Sequence, residues 1–228
     1  MIHGDFNQYQ ETTVNDAFTL QNKKLLKVSL NFGPVKARIG SMVAYQGDVS
    51  FAHAGSGGVM GMLKSKVTGE GVPTMDVTGS GEVFLADSAA DIQLMYIEND
   101  SVSVNGANVL AFSASLSYDI KAIGSAGALS GGMFNVVLSG TGYVAVLCAG
   151  PPVVLDVTTA PTFADPQAVV MWTGGVQMNL KTDVNVKTLI GKGSGESFQM
   201  GFSGTGWVMV QPSEGVITGK GAKSGIGF

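Results

Sequence analysis

Along much of the chain, apolar and polar residues alternate with a period of two, the signature of strands with one buried face. Val35, Ala37 and Ile39 alternate with Lys36 and Arg38. Ala17–Leu20 and Leu25–Leu30 flank the polar Gln21–Lys24, which predicts a hairpin, and Gly33-Pro34 punctuates the chain after it. Ile92–Ile97 alternates less cleanly and leads to two turn signals, Asn99-Asp100 and Asn105-Gly106. Val153–Val157 reads as a strand and Thr158–Pro166, with two prolines, as a loop. No segment sustains a 3.6-residue apolar stripe over three turns. The expectation is an all-β fold with at most one or two short helices, Met60–Ser65 being the candidate.

A longer pattern lies over the alternation. A short apolar run with an aromatic in fourth place occurs three times, as Met42–Tyr45, Val109–Phe112 and Val169–Trp172. Val49 and Phe51, Leu116 and Tyr118, and Val176 and Met178 stand at the same offsets from the aromatics Tyr45, Phe112 and Trp172. A Gly-rich stretch follows each run, at Gly55–Gly58, Gly124–Gly132 and Gly191–Gly195. Each cassette closes on a Gly-x-Gly strand, with glycines at Gly79 and Gly81, Gly140 and Gly142, and Gly204 and Gly206. Units of roughly sixty residues in three copies imply one pseudo-threefold body. The expected organisation is one all-β domain over residues 1–216, with repeats near 18–88, 89–150 and 151–212, and a disordered Gly/Lys-rich tail over 217–228. The six glycines are expected to serve strand bends, where a residue without Cβ is needed. The three aromatics are expected to share a core layer.

Composition adds bounds. The 228 residues include 33 glycines at turn positions without a collagen period. Charged residues make up only 13% of the chain, which suggests a surface partly covered by another copy. A net charge of −4 with no basic stripe argues against nucleic acid as a partner. The densest basic segment, Lys23-Lys24 with Lys27, reads as solvated charge. The lone cysteine, Cys148, sits in an apolar strand and reads as a small buried hydrophobe. No signal peptide and no apolar stretch long enough for a membrane helix is visible.

Candidate chemistry is sparse. The two histidines, His3 and His53, have no cysteine or carboxylate at a metal-ligand spacing. Gly79-Ser80-Gly81 resembles half of a nucleophile elbow, but Thr141 and Thr205 fill the same repeat position, so a strand bend accounts for all three. Gly191–Gly195 has P-loop residue types without P-loop spacing. Glu82 follows one Gly-x-Gly where Tyr143 and Trp207 follow the others, an asymmetry that marks either a functional face or a face exposed in one repeat only. No catalytic residue, metal site or cofactor is expected.

The segments Lys36–Gly47, Gly79–Gly81 and Gly204–Gly206 resemble the altered-inheritance-of-mitochondria family, which has many bacterial members. The resemblance runs from about Phe18 to Pro212. It implies a fold similar to the tryptophan RNA-binding attenuation protein, with β-sandwich-like units that self-associate, and it brings no catalytic residues. The expected function is a non-enzymatic scaffold or interaction protein of the bacterial cytoplasm. It would form a homo-oligomer and present rigid β faces to a protein partner, with a membrane surface as one setting. The alternative is a small-molecule or nucleic-acid binding module that uses the Gly-rich loops.

Overall fold

The computed structural model describes residues 4–53, 74–123, 134–182 and 198–213, and these are mostly antiparallel β-structure. Their helical content is three 3-10 turns, Asn7–Tyr9, Leu30–Phe32 and Gly106–Asn108. The expected helix at Met60–Ser65, the three Gly-rich stretches, His3 and the tail lie outside the described residues.

The expected hairpin forms from β1 (Phe18–Asn22) and β2 (Leu25–Ser29), with Phe18 opposite Val28. β3 (Val35–Arg38) buries Val35 and Ala37, as its alternation predicts, whereas Ile39, expected on the same face, lies past the end of the strand and is exposed. β4 (Met42–His53) and β5 (Thr74–Leu85) make a long ribbon. The free edge of β5 is shared: β3 pairs with its first half and β2 with its second. β6 (Asp91–Asn105) runs the length of β9 (Phe134–Cys148). The other edge of β9 takes β7 (Val109–Ser113) and β8 (Ser117–Ala122). Further on, β15 (Trp207–Val210) lies between β10 (Val153–Asp156) and β12 (Val169–Thr173). β14 (Phe198–Gly204) lies between β11 (Thr162–Ala164) and β13 (Val176–Thr182). β11, β14 and β13 form their own sheet, and the other strands form one of twelve.

Two pairings stitch these groups together. β3 pairs with β7, Lys36 opposite Phe112, and β6 pairs with β12, Ser103 opposite Trp172. Val109–Phe112 and Val169–Trp172 are therefore buried on both faces, which is why they read as unbroken apolar runs. Each divides its side chains between two cores. Leu110 and Ala111 pack with β1, β2, β3 and β5, whereas Phe112 and Val109 pack with β6 and β9. Val170 and Met171 join that second core, and Trp172 and Val169 a third with Met200 and Phe202. A β-bulge in each run permits the switch, between Val109 and Ala111 and between Val169 and Met171.

Two readings are corrected. Asn99-Asp100 is no chain reversal: β6 continues through it with an irregularity between Ile97 and Asp100, and Asn99 takes a φ of 49°. Asn tolerates that conformation locally, and its amide donates to Thr141 Oγ1 at 3.0 Å. The expected loop Thr158–Pro166 contains β11, whose three residues between two prolines are too few for a periodic signal.

Of the six Gly-x-Gly glycines, Gly79, Gly81, Gly140, Gly204 and Gly206 have positive φ, as a strand bend requires. Gly142 does not; a Cβ there would stand 2.8 Å from Ser113 Cβ, so it answers to space and not to dihedral. At Gly140 the constraint is conformational alone: φ is 117° and the nearest atom to a Cβ would be Leu116 Cδ2 at 3.7 Å. At Gly204 a φ of 106° combines with the Gly175 carbonyl oxygen 2.6 Å from a Cβ. Gly140→Ala is expected to cost about 1–3 kcal/mol from backbone strain. Gly204→Val is expected to cost more, because strain and collision add. Thermal melts of the two variants check this, and native melting of Gly204→Val would contradict the bend.

Candidate functional site

Three features gather the chemistry-bearing side chains: a buried ammonium on β2, a polar seam between the strand groups, and exposed apolar strand edges. The first corrects an expectation. Lys27 is not solvated: it is 4% exposed, while its neighbour Lys24 is exposed and reaches Asp91 at 3.2 Å. Alternation on β2 would put Lys27 outside, but the preceding segment crosses over it. That segment is held by Gln21, whose Nε2 donates to the Gln10 carbonyl at 2.9 Å and whose Oε1 accepts from the Thr12 amide at 2.8 Å.

Lys27 Nζ donates to Glu11 at 2.8 Å, to the Thr12 carbonyl at 2.9 Å, and meets Glu82 at 2.9 Å. All three of its hydrogens have acceptors. Burial pushes the ammonium down, but the hydrogen bonds and charges of Glu11 and Glu82 outweigh it, leaving the group above its ordinary value. Hydrogen bonds from the Glu82 side and from Lys27 hold Glu11 below the usual carboxylate range. Glu82 departs from the aromatic at the other two Gly-x-Gly strands because it neutralises this buried charge.

Tyr143, in the matching place on β9, donates its hydroxyl to Asp16 at 2.8 Å. That bond, followed by burial, raises the phenol above its ordinary value. The ring stacks on Phe18, centroids 5.3 Å apart, and meets the Tyr96 ring edgewise. The residues that open β1 are thereby fixed to β9.

The polar seam follows the two stitched pairings. Arg38 Nε donates to the Val109 carbonyl at 2.9 Å, and Arg38 also reaches the Ala107 carbonyl and, at 3.7 Å, Asp87. Asn105 Nδ2 donates to the Val169 carbonyl at 3.2 Å. Asn108 Nδ2 donates to the Leu147 carbonyl at 2.7 Å and touches the buried Gln211, whose Oε1 accepts from the Ala149 amide at 3.0 Å. These groups close backbone positions that the edge-to-edge pairings leave open.

The repeated aromatics are not brought together. Phe112 is buried in the second core and Trp172 in the third, where it meets Phe202 at a centroid distance of 5.4 Å. Tyr45 is 49% exposed, so the shared core layer does not form. The physical reason is that no strand pairs with the outer edge of Met42–Tyr45 among the described residues, as β3 and β6 do for β7 and β12. Met42, Val43, Val153, Val154 and Phe163 are also exposed, and sequence alone did not separate them from buried counterparts.

Cys148 is buried, and burial, with Asp91 adding, pushes its thiol up to about 12, so it packs as a hydrophobe. His53 ends β4. No group of three or more His, Cys, Asp or Glu able to hold a metal occurs among the described residues.

A family model described as mitochondrial biogenesis AIM24 matches residues 18–213. No curated protein matches the chain. The crystal structure of a protein from Streptococcus pyogenes superposes with a TM-score of 0.70 at 20% sequence identity, over 86% of this chain and 92% of that one. At that identity the likeness concerns the fold.

The Lys27 cluster yields a signed expectation. Glu11→Gln with Glu82→Gln leaves the Lys27 ammonium without a counter-charge beside two part-exposed amides and is expected to cost on the order of 1–3 kcal/mol. Lys27→Met removes the charge itself and is expected to cost less. Because Glu11 is lowered from 4.5 in the folded state, its contribution is present above that value and is lost as pH falls through the folded value. Denaturant titrations at neutral and acid pH check both, and a Glu11→Gln variant with an unchanged acid limb would contradict the assignment.

Proposed function

The chain belongs to the mitochondrial biogenesis AIM24 family, and we propose that it works as a non-enzymatic β scaffold, one that self-associates and offers sheet edges to partner proteins. The observation that carries the proposal is the exposed apolar edge. Val43 is 60% exposed and Tyr45 49% on β4, and Phe163 is 47% exposed on β11. An exposed apolar strand edge is a template for pairing unless something covers it. The charged side chains support the same reading, because Lys27, Arg38, Lys36 and Asp16 are each engaged in holding strands or the leading segment in place.

We further read the body as three pseudo-equivalent units, 18–88, 89–150 and 151–212, in an attenuator-like arrangement. Register supports this. Tyr45 lies opposite Val83, Phe112 opposite Val144 and Trp172 opposite Val208, each four residues past Gly79, Gly140 or Gly204. Phe51, Tyr118 and Met178 lie opposite Val77, Leu138 and Phe202, each two residues before those glycines. The bulge falls at one place in all three runs, between Met42 and Ala44 in the first.

The cytoplasm is the proposed compartment, and a membrane surface is a proposed setting for assembly. No helix among the described residues is long and apolar enough to cross a membrane. The net charge of −4 favours protein over nucleic acid as the partner.

Native mass spectrometry of gently purified protein tests the scaffold. The expected result is a multiple of the 23.4 kDa chain without added mass. A monomer at micromolar concentration, or a species carrying a small molecule, would overturn it.

A further inference from the structure

The two internal stitches define a rule that the chain applies twice and then leaves open at both ends. In the first stitch β3 reads against β7 with Val35 opposite Ser113, Lys36 opposite Phe112 and Ala37 opposite Ala111. In the second, β6 reads against β12 with Val102 opposite Thr173, Ser103 opposite Trp172 and Val104 opposite Met171. The strand that gives its edge is placed by the glycine-bearing strand on its other edge. Val35 faces Val77, Val102 faces Leu138 and Thr162 faces Phe202, each partner two residues before a positive-φ glycine. β11 is therefore the third giving strand, and its outer edge pairs with nothing among the described residues. The third receiving strand is the Met42–Gln46 part of β4, whose outer edge is equally unpaired among the described residues.

We propose that β11 of one copy pairs antiparallel with the Met42–Gln46 segment of a second copy, in the register of the internal stitches. This rests on the scaffold reading above and names its interface. Carrying the register over sets Thr162 opposite Gln46, Phe163 opposite Tyr45 and Ala164 opposite Ala44. The two half-exposed aromatics would face each other as a cross-strand pair, an arrangement that strengthens strand pairing.

Side-chain destinations agree. At the internal stitches Leu110 and Ala111 enter the core of the giving group, as do Val170 and Met171. Their counterparts Val43 and Ala44 are exposed. The third core, which would receive them, is bordered by partly buried Leu155, Ala164 and Met178. A second copy is the occupant because both halves of the contact lie on this chain, in complementary register, without pairing to each other in it.

One element is missing. The clamp that Arg38 and Asn105 give to the carbonyls of Val109 and Val169 falls at Asp165 on the third giving strand, and a carboxylate cannot donate to a carbonyl. Asp165 Oδ1 instead accepts from the Gln167 amide at 2.7 Å. The contact between copies is accordingly weaker than the two internal ones. It joins unlike surfaces, so it builds a ring or a chain of copies.

The experiment uses two full-length variants, Tyr45→Glu and Phe163→Glu, each confirmed as folded by its melting curve, with mass measured by light scattering. Each alone is expected to fall to 23.4 kDa. Mixed, they are expected to give a 1:1 dimer, since one keeps a sound β11 edge and the other a sound β4 edge. A wild type that assembles while both variants assemble as well would overturn this interface and leave self-association standing. A monomeric wild type would overturn both. In a second measurement, the double variant Tyr45→Cys/Phe163→Cys is treated with a mild oxidant. Covalent multimers are expected, and a disulfide closed within single chains would overturn the role of a second copy.

Discussion

A strand with both faces in a core needs a neighbour on each edge, and the architecture is arranged around meeting that need. Val109–Phe112 and Val169–Trp172 sit between β9 and β3 and between β15 and β6, with every side chain in the two runs almost free of solvent. Each such run links two cores, because a bulge sends its side chains in pairs to opposite sides. The three cores are consequently one continuous structure. A fully buried Val, Leu or Phe contributes roughly 1.5–3 kcal/mol, so these eight positions weigh heavily against a net stability of about 5–15 kcal/mol.

Bent strands make the stitching geometrically possible. β5 offers one half of its edge to β2 and the other to β3, and Gly79 and Gly81 lie between the halves. β3 keeps its pairing with the first half of β5 on one edge and gives its other edge to β7. Arg38 and Asn105, at the ends of the giving strands, then satisfy carbonyls where the ladder stops. Electrostatics serve the same end: the buried Lys27 ties the segment before β1 to β2 and β5 through Glu11 and Glu82.

Much of the scheme was legible in the chain. All the Gly-x-Gly glycines but Gly142 announced bends because few other residues adopt their dihedrals, and the Ala17–Leu30 hairpin formed as expected, while the alternation of Val35, Ala37 and Ile39 matched only as far as Ala37. The features without a local signal depend on long-range pairing. Met42–Tyr45 looks like Val109–Phe112 and Val169–Trp172, yet among the described residues only the latter two have a strand on the outer edge, and no local pattern encodes a distant neighbour. Lys27 looked solvated because the segment that buries it is joined through Gln21, a side chain without periodic signature. β11 was hidden by its brevity and its prolines.

The central claim is that edge pairing across the runs holds the structure together and that Met42–Gln46 awaits the same cover. Hydrogen exchange measured peptide by peptide against protein concentration addresses it most directly. Strong protection of Val109–Ser113 and Val169–Thr173 is expected at every concentration, with protection of Met42–Gln46 and Thr162–Ala164 rising together as copies associate. Protection of Met42–Gln46 that does not change with concentration, or that changes without Thr162–Ala164, would contradict it.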